Sequence, residues 1–253
     1  MGSFLLHLVL AVVPAILAIT LHEAAHGYAA LAMGDDTAKL AGRLSLNPLR
    51  HIDRVGSILL PGALLIGQLL TLGRVAFMFG WAKPVPVAAW KFRDPRRGMA
   101  VVAVAGPAMN FFLAWIGVLL LPRVALPPGA RVDAIDAAIA AHPVIGLFLA
   151  YFILSNLVLG LFNLLPIPPL DGGRIAVGLL PLALARRWAQ VEKLGILLVV
   201  LFVFVLPQLL PEFGIAFDPF GALLNTVVPA AIRLLLWLGF HAGAGGSGGI
   251  HYV

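Results

Sequence analysis

The first long apolar run of the chain contains a short polar motif, H-E-A-A-H, at positions 22 to 26. His22 and His26 stand four residues apart, a spacing that places both imidazole rings on one face of an α-helix. Two imidazoles one helical turn apart can bind a single tetrahedral Zn²⁺ through ring nitrogens. Glu23 can reach a water molecule beside such a metal and act as a general base. The motif therefore predicts a zinc site with hydrolytic chemistry.

A second polar motif ends the fourth apolar run, where Asn163 is followed by three prolines and then by Asp171 and two glycines. Because proline lacks an amide hydrogen and blocks helix continuation, the backbone here should be irregular. Irregular backbone near membrane depth is tolerated only where it is buried in protein or lines a wet cavity. A carboxylate at such a place supplies the third protein ligand that a catalytic zinc site with two histidines needs. We therefore expect Asp171 to complete the site.

Two asparagines, Asn110 and Asn163, lie within or beside apolar runs. An amide in such a place can hydrogen-bond a substrate backbone or an oxyanion. It can also join helices through interhelical hydrogen bonds. Both residues are candidates for substrate contacts, and the interhelical alternative applies more to Asn110.

The composition indicates the kind of element that must position these residues. Apolar residues make up 61% of the 253-residue chain and charged residues 11%, and the mean hydropathy is +1.03. Soluble domains have roughly 45–50% apolar and about 25% charged residues. The composition therefore excludes a soluble enzyme, a nucleic-acid-binding domain and a disordered regulator, and favours a polytopic α-helical membrane protein. Ionisable groups inside membrane spans are costly, so those of the two motifs indicate function.

Six apolar runs are candidate membrane segments, at residues 4–33, 55–72, 99–121, 144–165, 194–210 and 220–240. The first run reads as a retained membrane segment, because it lacks the basic start and cleavage site of a signal peptide. Lys and Arg, which give the net charge of +6, cluster in the loops at 34–54, 74–98 and 167–193. Basic loops are cytosolic as a rule, so the segment 55–72 should re-enter the membrane without crossing it. This predicts five crossings, an external N-terminus and a cytosolic C-terminus; the alternative is six crossings with one exception to the rule.

With these motifs in this order, the chain resembles the site-2 protease family of intramembrane zinc metalloproteases. The resemblance covers about residues 5–180 and rests on three motifs: H-E-A-A-H at 22–26, G-P-A-M-N at 106–110 and N-L-L-P-I-P-P-L-D-G at 163–172. It implies that His22, His26 and Asp171 bind one Zn²⁺ per chain and that Glu23 is the catalytic base. It also implies the compact subgroup of the family, which lacks PDZ and CBS domains.

By the same likeness, residues 43–48 resemble the membrane-associated β-strand region that lines the substrate path in this family. We therefore expect a small β-hairpin, in which His51 and Asp53 are candidates for fixing the turn. A transmembrane substrate must unwind before its amides can be attacked. Strand pairing with the β-prone segment 40–47 would hold the unwound chain.

These inferences predict one membrane-embedded metalloprotease domain at 1–240 and a flexible Gly-rich tail at 241–253. Its partners would be the lipid bilayer and membrane proteins with transmembrane segments, not nucleic acid; the oligomeric state stays open. We expect the inner membrane of a bacterial or archaeal cell, with the active site toward the cytosol. The alternative is a transporter that moves protons or metal ions with the same side chains, against which the lack of an internal repeat counts.

Overall fold

The apolar runs of the sequence fold into helices joined by extended stretches, in a computed structural model that describes residues 2–73, 80–121 and 134–242. The helices in chain order are α1 (Gly2–Ala32), α2 (Thr37–Leu40), α3 (Leu60–Leu72), α4 (Pro95–Leu119), α5 (Ala134–Ala141), α6 (Pro143–Asn163), α7 (Asp171–Leu179), α8 (Leu182–Val191), α9 (Gly195–Val200), α10 (Leu206–Leu209), α11 (Pro219–Ala222) and α12 (Val228–Ala242). Turns of π-helix at Arg54–Leu59, Leu201–Val205 and Leu223–Val227 run directly into α3, α10 and α12.

Five helical stretches are long and apolar enough to cross a membrane: Leu5–Ala32, Arg54–Thr71, Pro95–Leu119, Pro143–Asn163 and Pro219–Gly239. The predicted helical membrane architecture is confirmed at this level. The fifth apolar run of the sequence forms a shorter apolar stretch, Leu197–Phe213.

The helices α1, α4 and α6 pack against one another and form the centre of the molecule. Small residues allow this packing, as is usual where membrane helices approach closely. A Cβ atom added to Gly117 of α4 would lie 2.7 Å from Ile153 of α6, and one on Gly160 would lie 3.2 Å from Asn110. α1 ends, α4 begins and α6 ends at the same end of this bundle, which we call the basic end because the loops there carry Lys and Arg.

The segment expected to re-enter the membrane starts at the basic end, and the chain lies at that end again from residue 80. The amide of Trp81 donates to the carbonyl of Gly56 over 3.1 Å, so the chain has returned to its starting point by residue 81. A Cβ atom on Gly80 would lie 2.4 Å from the same carbonyl oxygen. Arg54–Thr71 is itself long enough to cross, and these contacts place residues 80 and 81, not residue 72, at the start of the segment. The re-entrant course of residues 55–72 stays a prediction.

The last two apolar runs differ from the prediction of five crossings and a cytosolic C-terminus. Gly195 packs against Pro169 at the basic end, and by Phe220 the chain lies there again, with its ring 5.9 Å from that of Phe162. From Phe220 the helix runs to the opposite end of the bundle, where Gly239 packs against Val118. The described C-terminus therefore lies at the same end as the start of α1, since the fifth run turns back instead of crossing.

The small β-hairpin expected around residues 43–48 is wrong, because the described residues contain no β-strand. The extended stretches 43–47 and 80–88 lie close together, since Leu44 and Val85 both pack against Gly27. The bonds around them are isolated, such as that from Lys83 N–H to the carbonyl of His51, beyond the first stretch, at 2.8 Å. The Arg43 guanidinium also donates to the Lys83 carbonyl at 2.7 Å. Pro48, Pro84 and Pro86 lack amide hydrogens, which prevents a continuous ladder.

Other predictions fall wholly or partly outside the described residues. The expected Gly-rich tail lies outside the described residues from residue 243 onward. Residues 122–133 of the expected external loop lie outside them as well. The single domain at 1–240 stays a prediction.

Candidate metal centre

The polar motif of the first apolar run lies within α1, which continues without a break through residues 22–26. Three ligand atoms converge from this motif and from Asp171. The Nε2 atoms of His22 and His26 are 3.1 Å apart. Asp171 Oδ2 lies 3.1 Å from the Nε2 of His22 and 3.2 Å from that of His26. All three residues are buried, so the structure brings the predicted ligands into one enclosed cluster.

Asp171 reaches this cluster because the chain turns sharply between α6 and α7. Asp171 is the first residue of α7. A Cβ atom on Gly172 would lie 2.3 Å from the carbonyl oxygens of Leu164 and Leu165, and one on Gly173 would lie 2.7 Å from the nitrogen of Pro168. Only glycine fits so close to backbone atoms. The two glycines after Asp171 therefore permit the turn that brings its carboxylate back to α1.

One face of α4 supports both histidine rings through residues spaced four apart. The Val102 carbonyl accepts a hydrogen bond from His26 Nδ1 at 2.7 Å. Asn110 Oδ1 lies 2.6 Å from His22 Nδ1. Between them, Gly106 faces the rings directly: a Cβ atom there would lie 2.5 Å from His26 and 2.6 Å from His22. This geometry explains the glycine and the asparagine of the G-P-A-M-N motif.

The hydrogen bonds fix which nitrogen of each ring carries the proton. A carbonyl oxygen only accepts, so His26 must carry its proton on Nδ1. Asn110 Nδ2 donates to the Ala18 carbonyl at 3.3 Å and to Asn156 Oδ1 at 2.9 Å, which turns Asn110 Oδ1 toward His22. His22 therefore also carries its proton on Nδ1. In the neutral rings, which are the forms that bind a metal, both Nε2 atoms then present lone pairs to the cluster.

Three acceptors thus face one another, and Asp171 Oδ2 has no hydrogen-bond donor in the described residues although it is buried. A cation among them would satisfy all three. Ligand atoms of a tetrahedral zinc centre with bonds of about 2.0 Å are about 3.3 Å apart, close to the separations seen here. Two imidazole nitrogens and one carboxylate oxygen also match the donor set of catalytic zinc sites. The residues therefore fit a zinc ion.

Two polar contacts of the site could not be read from the sequence motifs. Asn156, in the middle of α6, is completely buried and bonds Asn110, and its own Nδ2 donates to the Phe152 carbonyl at 2.9 Å. The carboxylate of Glu23 accepts a hydrogen bond from the Val85 amide at 3.0 Å. An asparagine within an apolar run was the available signal for Asn156, whereas no signal in the sequence pairs Glu23 with Val85.

The two asparagines expected at the substrate lie in different surroundings. Asn110 is completely buried, and its bonds give it a role toward His22. Asn163 is half-buried at the end of α6, where its Nδ2 donates to the Leu159 carbonyl of its own helix at 3.0 Å. The expected substrate contacts of both residues stay predictions.

An apolar crevice of about 310 Å³ opens one helical turn from His22. It lies between α1, α6 and the π-helical turn 201–205, and its lining is almost wholly apolar. The residues that face it include Ala18, Ile19, Ser155, Phe162, Val203 and Phe220.

A comparison with known protein families identifies the family of the chain. The model of peptidase family M50 matches residues 10–207. The chain belongs to peptidase family M50. Because M50 is the site-2 protease family, the resemblance inferred from the three motifs is confirmed.

Curated relatives in this family share much of the chain. "Putative zinc metalloprotease YwhC" of Bacillus subtilis is 41% identical over 193 residues, which are 76% of this chain and 79% of the relative. "Putative zinc metalloprotease Rip2" of Mycolicibacterium smegmatis is 32% identical over 73% of this chain, and the Rip2 protein of Mycobacterium tuberculosis is 34% identical over 62%. The matches span 62% and 52% of those two relatives. No solved structure matches the chain at a significant level.

Proposed function

We propose that this M50 peptidase is an intramembrane zinc metalloprotease that hydrolyses peptide bonds in or near transmembrane segments of membrane proteins. The observation that carries the proposal is the cluster of three bare acceptor atoms, His22 Nε2, His26 Nε2 and Asp171 Oδ2, each about 3 Å from the others. Family membership and relatives named as zinc metalloproteases support the enzyme class and the Zn²⁺ cofactor.

His22, His26 and Asp171 would hold one zinc ion per chain. The bound ion would supply Lewis acidity, which polarises the scissile carbonyl and lowers the pKa of water. Glu23 accepts the proton of the attacking water and passes it to the leaving amine. Asn110 and the Val102 carbonyl keep the histidine rings in the tautomer that leaves Nε2 free.

The apolar crevice supports a substrate that comes from the membrane. It lies beside the metal cluster, and its lining offers apolar side chains to an apolar segment. Phe162 lines this crevice and the next residue, Asn163, begins the turn toward Asp171. Asn163 is therefore our candidate for a hydrogen bond to the backbone of an unwound substrate.

We place the site toward the cytosolic side of an inner membrane. His22 and His26 stand six to ten residues before the end of α1, which is about 9 to 15 Å at 1.5 Å per residue. That end of the bundle carries the basic loops, and basic loops favour the cytosol.

The proposal is tested with purified protein and a labelled substrate that has a single transmembrane segment. We expect Glu23→Gln to lower cleavage at least about 100-fold, since general-base catalysis contributes about 10² to 10⁴. Its zinc content should stay near one ion per chain, because Glu23 is not a ligand. A metal chelator should also abolish cleavage in the wild type.

The matched control is Glu192→Gln, an equivalent change at an exposed glutamate that pairs with Arg174. It should leave cleavage unchanged. If Glu23→Gln cleaves at the wild-type rate, the assignment of the base is wrong. If the wild type moves protons or metal ions across liposomes but cleaves no membrane substrate, the transporter alternative is favoured instead.

A further inference from the structure

The carboxylate of Glu23 is held by a backbone amide from a distant part of the sequence. Glu23 Oε2 accepts from the Val85 N–H at 3.0 Å, across 62 positions of the chain. Val85 is buried. The bond occupies one carboxylate oxygen and leaves the other to receive a proton. What fixes residue 85 therefore also fixes the orientation of Glu23.

The sequence around Val85 makes a stiff segment with few amide donors. Residues 83–88, which we call the strap, read K-P-V-P-V-A. Proline fixes its own φ angle and biases the residue before it toward an extended backbone. Since Pro84 and Pro86 have no amide hydrogen, Val85 offers the one amide donor of this triplet.

The strap packs closely against α1, at a point where α1 has a glycine. A Cβ atom on Gly27, one turn after Glu23, would lie 3.1 Å from the Val85 side chain and 2.5 Å from Leu44. The backbone of the strap therefore runs along the last turns of α1, within reach of acceptors on that helix.

A second carboxylate binds the strap three residues later. Asp35, which follows α1, is completely buried, and its Oδ2 accepts from the Ala88 amide at 2.6 Å. Its other oxygen accepts from the amide and the hydroxyl of Thr37. The ammonium of Lys91, just beyond the strap, lies 3.4 Å from Asp35. Glu23 and Asp35 thus bind two amides of the same stiff segment.

Asp35 is charged in this position. Burial would raise the pKa of its carboxyl group, but the hydrogen bonds from Thr37 and Ala88, with Lys91 nearby, hold that pKa below its usual value. A full set of donors around a buried carboxylate is costly to disturb, because each unsatisfied group then loses its partner.

We propose that Asp35 is a positioning residue for Glu23, which it orients through the Val85 amide of the strap. This inference rests on the proposed proteolytic function. Asp35 does not touch the metal ligands or the reacting atoms. It sets the place of the strap, and the strap sets the direction of the Glu23 carboxylate.

The test is Asp35→Asn in the full-length protein. An asparagine offers a single acceptor oxygen, so it cannot accept from both sides. Thr37 presents two donors, its amide and its hydroxyl, and Ala88 presents one. We therefore expect the oxygen to turn to Thr37, so that the strap loses one of its two bonds to a carboxylate. We expect kcat for the single-span substrate to fall at least about tenfold, part of the contribution of a general base. KM and the zinc content should stay unchanged, because neither the crevice nor the ligands are altered.

A second readout needs no activity. Hydrogen exchange of a peptide that covers the strap reports on the amides of residues 83, 85, 87 and 88, since the two prolines have no amide hydrogen. In Asp35→Asn we expect faster exchange at both Ala88 and Val85. Faster exchange at Ala88 alone, with kcat unchanged, would show that Asp35 is only structural and would overturn the proposal.

The matched control is Asp36→Asn. Asp36 is the neighbouring carboxylate, binds the same Lys91 ammonium and accepts no hydrogen bond from the strap. It should keep the wild-type kcat and the wild-type exchange of the strap. A loss of kcat equal to that of Asp35→Asn would mean that Lys91, and not the bond to Ala88, is responsible.

A second variant tests the Val85 bond without changing Asp35. It carries an ester bond at residue 85, introduced by the α-hydroxy analogue of valine. It removes the Val85 N–H alone and leaves Asp35 in place. We expect a similar loss of kcat with normal zinc content, and an unchanged kcat would overturn the proposal. If Glu23→Gln keeps full activity, the proposed function fails, whereas a normal kcat in the ester variant together with an inactive Glu23→Gln refutes only the role of the strap.

Discussion

Gly106 shows how a residue with no side chain can decide whether a metal site exists. It is the point of closest approach between α4 and the two histidine rings. Val102 and Asn110 stand one turn to either side and bind the outer nitrogens of the same rings. A larger residue at 106 would push α4 away and break both contacts together.

We therefore predict that Gly106→Ala loses the metal. The added methyl group would lie 2.5 Å from His26 and 2.6 Å from His22, so the rings must move. Zinc retained after dialysis should fall at least about tenfold, as when supporting contacts of metal ligands are removed, and cleavage should fall with it. The measurement is zinc per chain by atomic spectroscopy.

Gly62→Ala is the control for this change. A Cβ atom on Gly62, in α3, meets nothing within 4 Å, so the variant should keep zinc and activity. Normal zinc content in Gly106→Ala would show that α4 can yield, and that the glycine is not needed for the site.

At the residue scale, the sequence predicted the groups that the cluster contains but not what orients them. The spacing of His22 and His26 on one helix follows from helical geometry, and the structure brings Asp171 to them. The Val102 carbonyl and the Val85 amide could not be predicted, because backbone atoms leave no mark in the sequence. Asn156 stands in an apolar run, as Asn110 does, but nothing in the sequence pairs the two. Such contacts depend on how α1, α4 and α6 pack, which no local pattern specifies.

At the scale of elements, hydropathy located the helices, but local propensity misjudged the segment after α1. Residues 40–47 look strand-prone, yet the stretch that lies beside them in the structure contains Pro84 and Pro86, which cannot donate to a ladder. Leu40 ends α2 and residues 41–42 form a turn, so only residues 43–47 are extended. The Arg43 guanidinium donates from there to the Lys83 carbonyl at 2.7 Å. A strand needs a partner with free amides, and the sequence of 40–47 alone does not reveal its partner.

The π-helical turn at Leu201–Val205 offers an element-scale test of the crevice. Val203 lines the crevice, while Val205 in the same turn is 38% exposed and does not line it. We predict that Val203→Phe lowers cleavage of the single-span substrate at least about tenfold, equivalent to about 1.4 kcal/mol, because the ring fills space meant for an apolar segment. Zinc content should not change.

Val205→Phe adds the same ring two residues away and should cleave normally. Equal cleavage by both variants and the wild type would show that the substrate does not enter this crevice. A parallel loss of zinc in Val203→Phe would instead mean that the ring disturbs the metal cluster.

At the scale of the whole molecule, the charge distribution and the helix packing lead to different topologies for the C-terminus. The basic loops predict which end faces the cytosol, and the metal cluster lies toward that end. Counting apolar runs suggested a cytosolic C-terminus, but Phe220 starts beside Phe162 and Gly239 ends beside Val118. The count failed because the fifth run is apolar without crossing, a distinction that depends on where its ends pack.

The chain has no cysteine, so single introduced cysteines can report this topology without background. We predict that Lys39→Cys, at the basic end, reacts with a membrane-impermeant maleimide only in inside-out vesicles. His142→Cys, between α5 and α6 at the opposite end, should react in intact cells. Ala242→Cys, at the end of α12, should behave like His142→Cys if the structure is right and like Lys39→Cys if the fifth run crosses. Labelling of Lys39→Cys in intact cells would show that the predicted orientation is wrong, because the basic loops and the metal cluster would then both face outward.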